Sequence, residues 1–241
     1  MTIEAELIEN IRIKSEALIN LGNIPDLYKQ MDKLNVLVKQ LYPHIDCNEG
    51  CSKCCVGTTS VPVVSPREWE LIYRYIIGSP DEFKESIIKE NNSDIEKYSN
   101  IFKKIHEILQ IRFDKEKLLK LAKILPELKE HKCVFLRNDR CSIYDVRPAK
   151  CRAHGTFLVR YEDKTQIHAC FSEIEKFEKY FKEKGGRLVT MPFWNNVEYK
   201  LAELNLGLGV STLIPIWIKS HIKDDKFQDF PNLVPDFSNF L

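Results

Sequence analysis

Four cysteines fall within nine residues, Cys47-x3-Cys51-x2-Cys54-Cys55. So dense a run constrains this chain more than anything else in it. The sequence holds eight cysteines in all, the others being Cys133, Cys141, Cys151 and Cys170. In an oxidising compartment such a count reads as a disulfide framework; in a reducing one it reads as metal ligands, redox thiols or small buried hydrophobes. The chain begins with acidic residues (Glu4, Glu6, Glu9) and no long apolar run, which argues against a secretory leader. Its most apolar stretch, residues 213–218, is far short of the roughly 20 residues that a membrane span needs. The expected address is the cytoplasm, where thiols stay reduced, and the expected chemistry is metal binding.

Thiolates suit zinc and iron–sulfur clusters, and short gaps let one loop turn several sulfurs toward a common point. Gly50 frees the turn between Cys47 and Cys51. The trio Cys47, Cys51 and Cys54 has the x3, x2 spacing of sites in which three thiolates hold a four-iron cluster and leave one iron open. Cys54 and Cys55 are neighbours whose side chains diverge on a strand or a helix. They are hard to aim at one tetrahedral ion, which points to two nearby centres or to different irons of one cluster.

The second group is spread more widely. Between Lys132 and His154 stand six basic residues (Lys132, Arg137, Arg140, Arg147, Lys150, Arg152) against Asp139 and Asp145. Cationic side chains beside sulfur offset the negative charge of a thiolate centre. Arg147 and Arg152, which flank Pro148 and Cys151, are the candidates for this role. His154 and His168 are candidate ligands or hydrogen-bond donors, and His44 is similar; His106, His131 and His221 carry no usable signal. No Ser–His–Asp series, phosphate loop or metalloprotease signature is apparent.

Around the cysteines the pattern is helical. Ile3, Leu7, Ile8, Ile11 and Leu18 share one face; Leu27, Met31, Leu34, Val38 and Leu41 form a second stripe after a break at Gly22 and Pro25. Ser65-Pro66-Arg67-Glu68 is a capping box, and Ser79-Pro80-Asp81-Glu82 repeats the signal. Another helical pattern runs from Asp94 to about Leu125, with a break near Phe113-Asp114. Residues 56–64 read as extended. Short hairpins are expected around Arg137–Arg140 and around Glu162–Lys164. Ser172 with Glu175 caps a helix that Gly185-Gly186 ends. Further helices are expected from Asn195 and over 211–222, the latter interrupted at Pro215, followed by an extended tail. The fold expected is mainly α with small β hairpins (α+β), a cysteine-rich metal-binding core on a helical scaffold. Its divisions are an N-terminal helical segment (1–43), a cysteine-cluster domain (44–171, with a helical insertion over 65–130) and C-terminal helices with a tail (172–241). A net charge of +1 argues against nucleic acid as a partner. A protein or small molecule is the expected partner, and no membrane.

Two stretches taken together, Cys47-x3-Cys51-Ser-Lys-Cys54-Cys55 and Cys133-x-Phe-Leu…Cys141-Ser-Ile-Tyr-Asp-Val-Arg147-Pro148-x2-Cys151-Arg152, resemble the bacterial YkgJ family of cysteine-cluster proteins. The resemblance covers roughly residues 44–171. It implies chelation of zinc or iron by all eight cysteines: an iron–sulfur cluster, most simply 4Fe-4S, or zinc. Some relatives are associated with lysine methylation of flagellin and carry an iron–sulfur cluster. This chain shows no glycine-rich loop after a strand that would bind a methyl donor. The readings left open are an iron–sulfur protein, a zinc-stabilised interaction module, and an iron-dependent enzyme modifying a peptide or small molecule.

Overall fold

A computed structural model describes residues 2–111, 115–161, 164–183 and 190–237. Along the chain the helices are α1 (Ile3–Ala17), α2 (Ile24–Leu41), α3 (Pro66–Ile77), α4 (Asp81–Gln110), α5 (Lys115–Ile124), α6 (Ala149–Arg152), α7 (Phe171–Glu183), α8 (Trp194–Leu204) and α9 (Ile214–Ser220). The strands are β1 (Val63–Val64), β2 (Leu136–Arg137), β3 (Arg140–Cys141), β4 (Leu158–Tyr161), β5 (Lys164–Ile167), β6 (Thr212–Leu213), β7 (Ile222–Lys223) and β8 (Lys226–Phe227). They pair antiparallel as β1–β6, β2–β3, β4–β5 and β7–β8. The fold is mainly α with small β hairpins, as the periodicity predicts.

The chain divides into two units: Met1–Cys51 with Ala149–Leu206, and Ser52–Pro148 with Gly207–Leu241. In the first unit, Asn23 caps α2 by accepting the Asp26 N–H, and Pro25 occupies its first turn, where a missing N–H does no harm. The apolar stripe of α2 is buried, with Leu27, Met31, Leu34 and Val38 fully so. Burial of each such side chain stabilises by roughly 1.5–3 kcal/mol. Asn35 of α2 donates to the Arg152 carbonyl at 3.0 Å and ties α6 to this helix.

The second unit is built around α3 and α4. The capping box at Ser65 and Glu68 forms as expected, and α3 buries Trp69, Ile72, Tyr73 and Ile76. Trp217 stacks on Trp69 at 5.7 Å, and its indole N–H donates to the Val64 carbonyl at 3.0 Å. The turn at Asn138 and Asp139 takes positive φ at both residues (48° and 59°), as a two-residue hairpin between right-twisted strands requires.

Several local expectations change. Helix α4 is continuous from Asp81, so no break precedes Asp94; Ile87 and Ile88 are buried along it and carry the helix through a weakly patterned stretch. Ser79 makes no cap, its hydroxyl donating instead to the Tyr75 carbonyl. Only Val63–Val64 of the extended stretch is a strand; Gly57–Thr59 forms a 3-10 turn. Pro215 starts α9 rather than interrupting it, because Thr212–Leu213 leaves as strand β6. Helix α7 begins at Phe171, and the Cys170 carbonyl receives the N–H groups of Glu173 and Ile174 at 3.0 Å each, which leaves Ser172 inside the first turn. The expected break at Phe113-Asp114, the stop at Gly185-Gly186 and the turn residues Glu162 and Asp163 lie outside the described residues.

Candidate metal centre

The two units share the cysteines equally. Cys47, Cys51, Cys151 and Cys170 fall in the first unit, and Cys54, Cys55, Cys133 and Cys141 in the second. Each cysteine group of the sequence sends two members to each unit. All eight are of intermediate exposure.

In the second unit Cys54 and Cys55 lie on a 3-10 turn, Lys53–Cys55. The Cys55 carbonyl accepts the Cys133 N–H at 2.8 Å, and Val56 bridges antiparallel to Lys132, so the two sequence groups run side by side here. Cys141 pairs with Leu136 across the hairpin. A hydrogen bond with Cys55 holds the Cys54 thiol down to about 7, and the Arg147 cation adds to this. Burial pushes the Cys133 thiol up to about 12, and it feels the charges of Cys141, Cys54 and Asp94. Arg147 sits 3.6 Å over the Tyr144 ring and donates to the Tyr144 carbonyl at 3.2 Å.

One hydrogen-bonded series beside this site escapes the sequence. Ser60 Oγ lies 2.6 Å from His131 Nδ1, and His131 Nε2 lies 3.2 Å from Asp94 Oδ2. Ser60 and His131 are each only 2% exposed, and the serine hydroxyl donates to the Gly57 carbonyl at 2.5 Å. The series therefore fastens the loop after Cys55 to α4 and offers no exposed nucleophile. The three residues are far apart in sequence, and no motif announces them.

In the first unit Gly50 takes φ +90°, and the Cys51 N–H closes a turn on the Asn48 carbonyl at 3.0 Å. Gly155 (φ +83°) lies against Cys47: a Cβ there would stand 2.3 Å from the Cys47 sulfur. The Gly155 N–H donates to the His168 carbonyl at 2.6 Å. Lys150 is mostly buried, 4.6 Å over the Trp194 ring; burial lowers its pKa, and the neighbouring Glu198 and Cys151 oppose that shift. Arg152, 3% exposed, is drawn to α2: it pairs with Asp32 at 2.5 Å and lies 4.2 Å over the Tyr28 ring. His154 packs edge-on against His168 at 5.0 Å, and burial, helped by Lys150, pushes its pKa down to about 4.

The donor set fits a thiophilic metal: eight cysteine sulfurs, a cation beside Cys54 and another beside Cys151, and a glycine cradle shaped around one sulfur. Among the described residues no three His, Cys, Asp or Glu side chains already stand as a closed set for a metal ion. A sequence model named CxxCxxCC, described as "Putative zinc- or iron-chelating domain", matches residues 46–179, more than half of the chain. The chain belongs to the CxxCxxCC family. All eight cysteines lie inside the family's span, and so do Arg147, Arg152, His154 and His168. Neither the curated proteins nor the solved structures give a match. As a CxxCxxCC protein, the chain is assigned to metal binding, with zinc or iron as the family's metals. Among the described residues no helix is long and apolar enough to cross a membrane.

Proposed function

We propose that the protein holds metal at two four-cysteine centres, one in each unit, and that each is an iron–sulfur cluster. The division of the cysteines carries this reading: Cys47, Cys51, Cys151 and Cys170 in one unit, Cys54, Cys55, Cys133 and Cys141 in the other. Four thiolates are the usual complement of one cluster. In the second unit Cys133 senses Cys54 and Cys141 as neighbouring charges. Arg147 and Lys150 would offset the negative charge of the two centres. When bound, a cluster supplies one-electron redox chemistry and holds its loops together. The proposed partner is a protein or small molecule, and the reduced thiols suit the cytoplasm.

A second reading has an observation of its own. Cys54 and Cys55 are close enough to share a hydrogen bond, and neighbouring sulfurs in contact suit the edge of a single zinc tetrahedron. Anaerobic purification, followed by analysis for iron, zinc and acid-labile sulfide with a visible spectrum, separates the two. Iron with matching sulfide and a brown colour is the expected result. About two zinc ions per chain without sulfide would replace the clusters with zinc. A chain that binds neither would overturn the two-centre reading.

A further inference from the structure

The chain has six histidines, and hydrogen bonding sorts them. His131 has a partner at each ring nitrogen, Ser60 and Asp94. In His221, Nε2 receives the N–H groups of Trp69 and Asn232, and Nδ1 meets the Trp217 carbonyl. His168 Nε2 meets the Lys150 carbonyl at 3.2 Å, and His106 Nδ1 meets Thr212. In His44 and His154, by contrast, Nε2 is buried without a hydrogen-bond partner. Leaving such an atom unsatisfied costs roughly 1–3 kcal/mol.

Both orphaned nitrogens belong to the first unit, and each stands three residues from a cysteine: His44 before Cys47, His154 after Cys151. They also share a neighbourhood. The carboxylate of Glu173 acts on both rings, and Glu173 sits in the first turn of α7, with its N–H on the Cys170 carbonyl. The residue after His154 is Gly155, against which the Cys47 sulfur lies. The ring planes are set by packing: His44 stacks on Tyr180 at 4.1 Å, and His154 meets His168 edge-on at 5.0 Å. Among the described residues of the second unit, the orphaned buried group is the amide of Asn91, a poor ligand for a soft metal.

We infer that the centre of the first unit is a mixed sulfur–nitrogen site, in which His154 Nε2 and His44 Nε2 take the place of two of its four thiolates, whereas the centre of the second unit is all-thiolate. The inference rests on the two-centre reading above. An imidazole must be neutral to bind metal, and burial favours that form in both rings. Nitrogen ligation would make the two centres differ in charge and, if they are clusters, in potential, since replacing thiolates by histidines raises it.

X-ray absorption at the edge of the metal bound to the full chain tests this. The expected spectrum has a light-atom shell beside the sulfur shell; for zinc these fall at about 2.0–2.1 Å and about 2.3 Å. The shell should vanish in the His44→Phe/His154→Phe chain, which keeps both ring contacts. A chelator competition should show one class of site weakened on the order of 10–100-fold and the other unchanged. A fully loaded wild-type chain with sulfur alone around its metal overturns the inference and leaves two thiolate centres standing. The wild-type spectrum decides this even if the variant does not fold. A wild-type chain that binds no metal overturns both readings.

Discussion

Each unit receives four cysteines, but their surroundings differ in kind. In the unit of Cys54, Cys55, Cys133 and Cys141, His131 bonds to Ser60 and Asp94, and Arg147 packs on Tyr144. The unit of Cys47, Cys51, Cys151 and Cys170 holds two buried imidazole nitrogens with no hydrogen-bond partner, a buried lysine beside Cys151 and a glycine packed against the Cys47 sulfur. Equal cysteine counts therefore do not make equal surroundings. In one unit His131 and Arg147 are held by the protein's own contacts, and in the other two imidazole nitrogens have no hydrogen-bond partner.

Removing the metal should produce the largest effect and erase the contrast. Thiolate binding energy is folding energy in small sites, on the order of 10 kcal/mol for structural zinc. Chelation of the full chain should therefore lower its melting temperature sharply in calorimetry, and an unchanged melting curve would remove any structural role for the metal. Next, Gly155→Ala should strike the first unit alone. Its methyl would collide with the Cys47 sulfur and sit at φ +83°, a strain on the order of 1–3 kcal/mol. About half the bound metal should be lost, whereas Cys133→Ser should remove the other half. If either substitution empties both sites, the centres are not independent.

Titration of the metal-free chain should separate the units by pH. His154 has its pKa depressed to about 4 by burial. Its neutral form supports the fold above the ordinary imidazole value of about 6.5, and that support is lost as pH falls through about 4. Cys133 is shifted the other way, from 9.0 to about 12 by burial. Its contribution is complete below 9.0 and is lost as pH rises toward 12. Hydrogen exchange followed against pH should show the first unit opening in acid and the second in alkali; the reverse order would contradict these environments. The smallest effect is expected of Arg147→Leu, which removes a minor contribution to the lowered pKa of Cys54. Alkylation of Cys54 near pH 7 should slow only a few-fold, by well under the tenfold that one pKa unit is worth.

What the sequence revealed of this arrangement was what local rules govern. The capping box at Ser65 and Glu68, the stripe of α2 and the turn at Asn138-Asp139 are all decided within a few residues, and they could be read directly. The long run of α4 could not, because its middle is held by tertiary burial of Ile87 and Ile88 rather than by pattern. Pro215 reads as a breaker until β6 is known to pair with β1, about 150 residues earlier in the chain. The eight cysteines and His154 announce themselves by type and spacing. Their sorting into two fours is set by where the chain crosses between units, after Cys51 and after Pro148, and no local signal marks those points. His131 looked uninformative for the same reason: its partners, Ser60 and Asp94, lie 71 and 37 residues away.

The tryptophans bring a further consequence. Of the three in the chain, Trp69 and Trp217 are stacked in the second unit, while Trp194 lies in the first, 5.9 Å from His168 and beneath Lys150. Each unit thus carries its own optical label. In a chain with Trp69 and Trp217 replaced by phenylalanine, the remaining tryptophan emission comes from the unit that holds His44 and His154. A light-absorbing metal arriving there would dim that emission, so its arrival could be followed in real time.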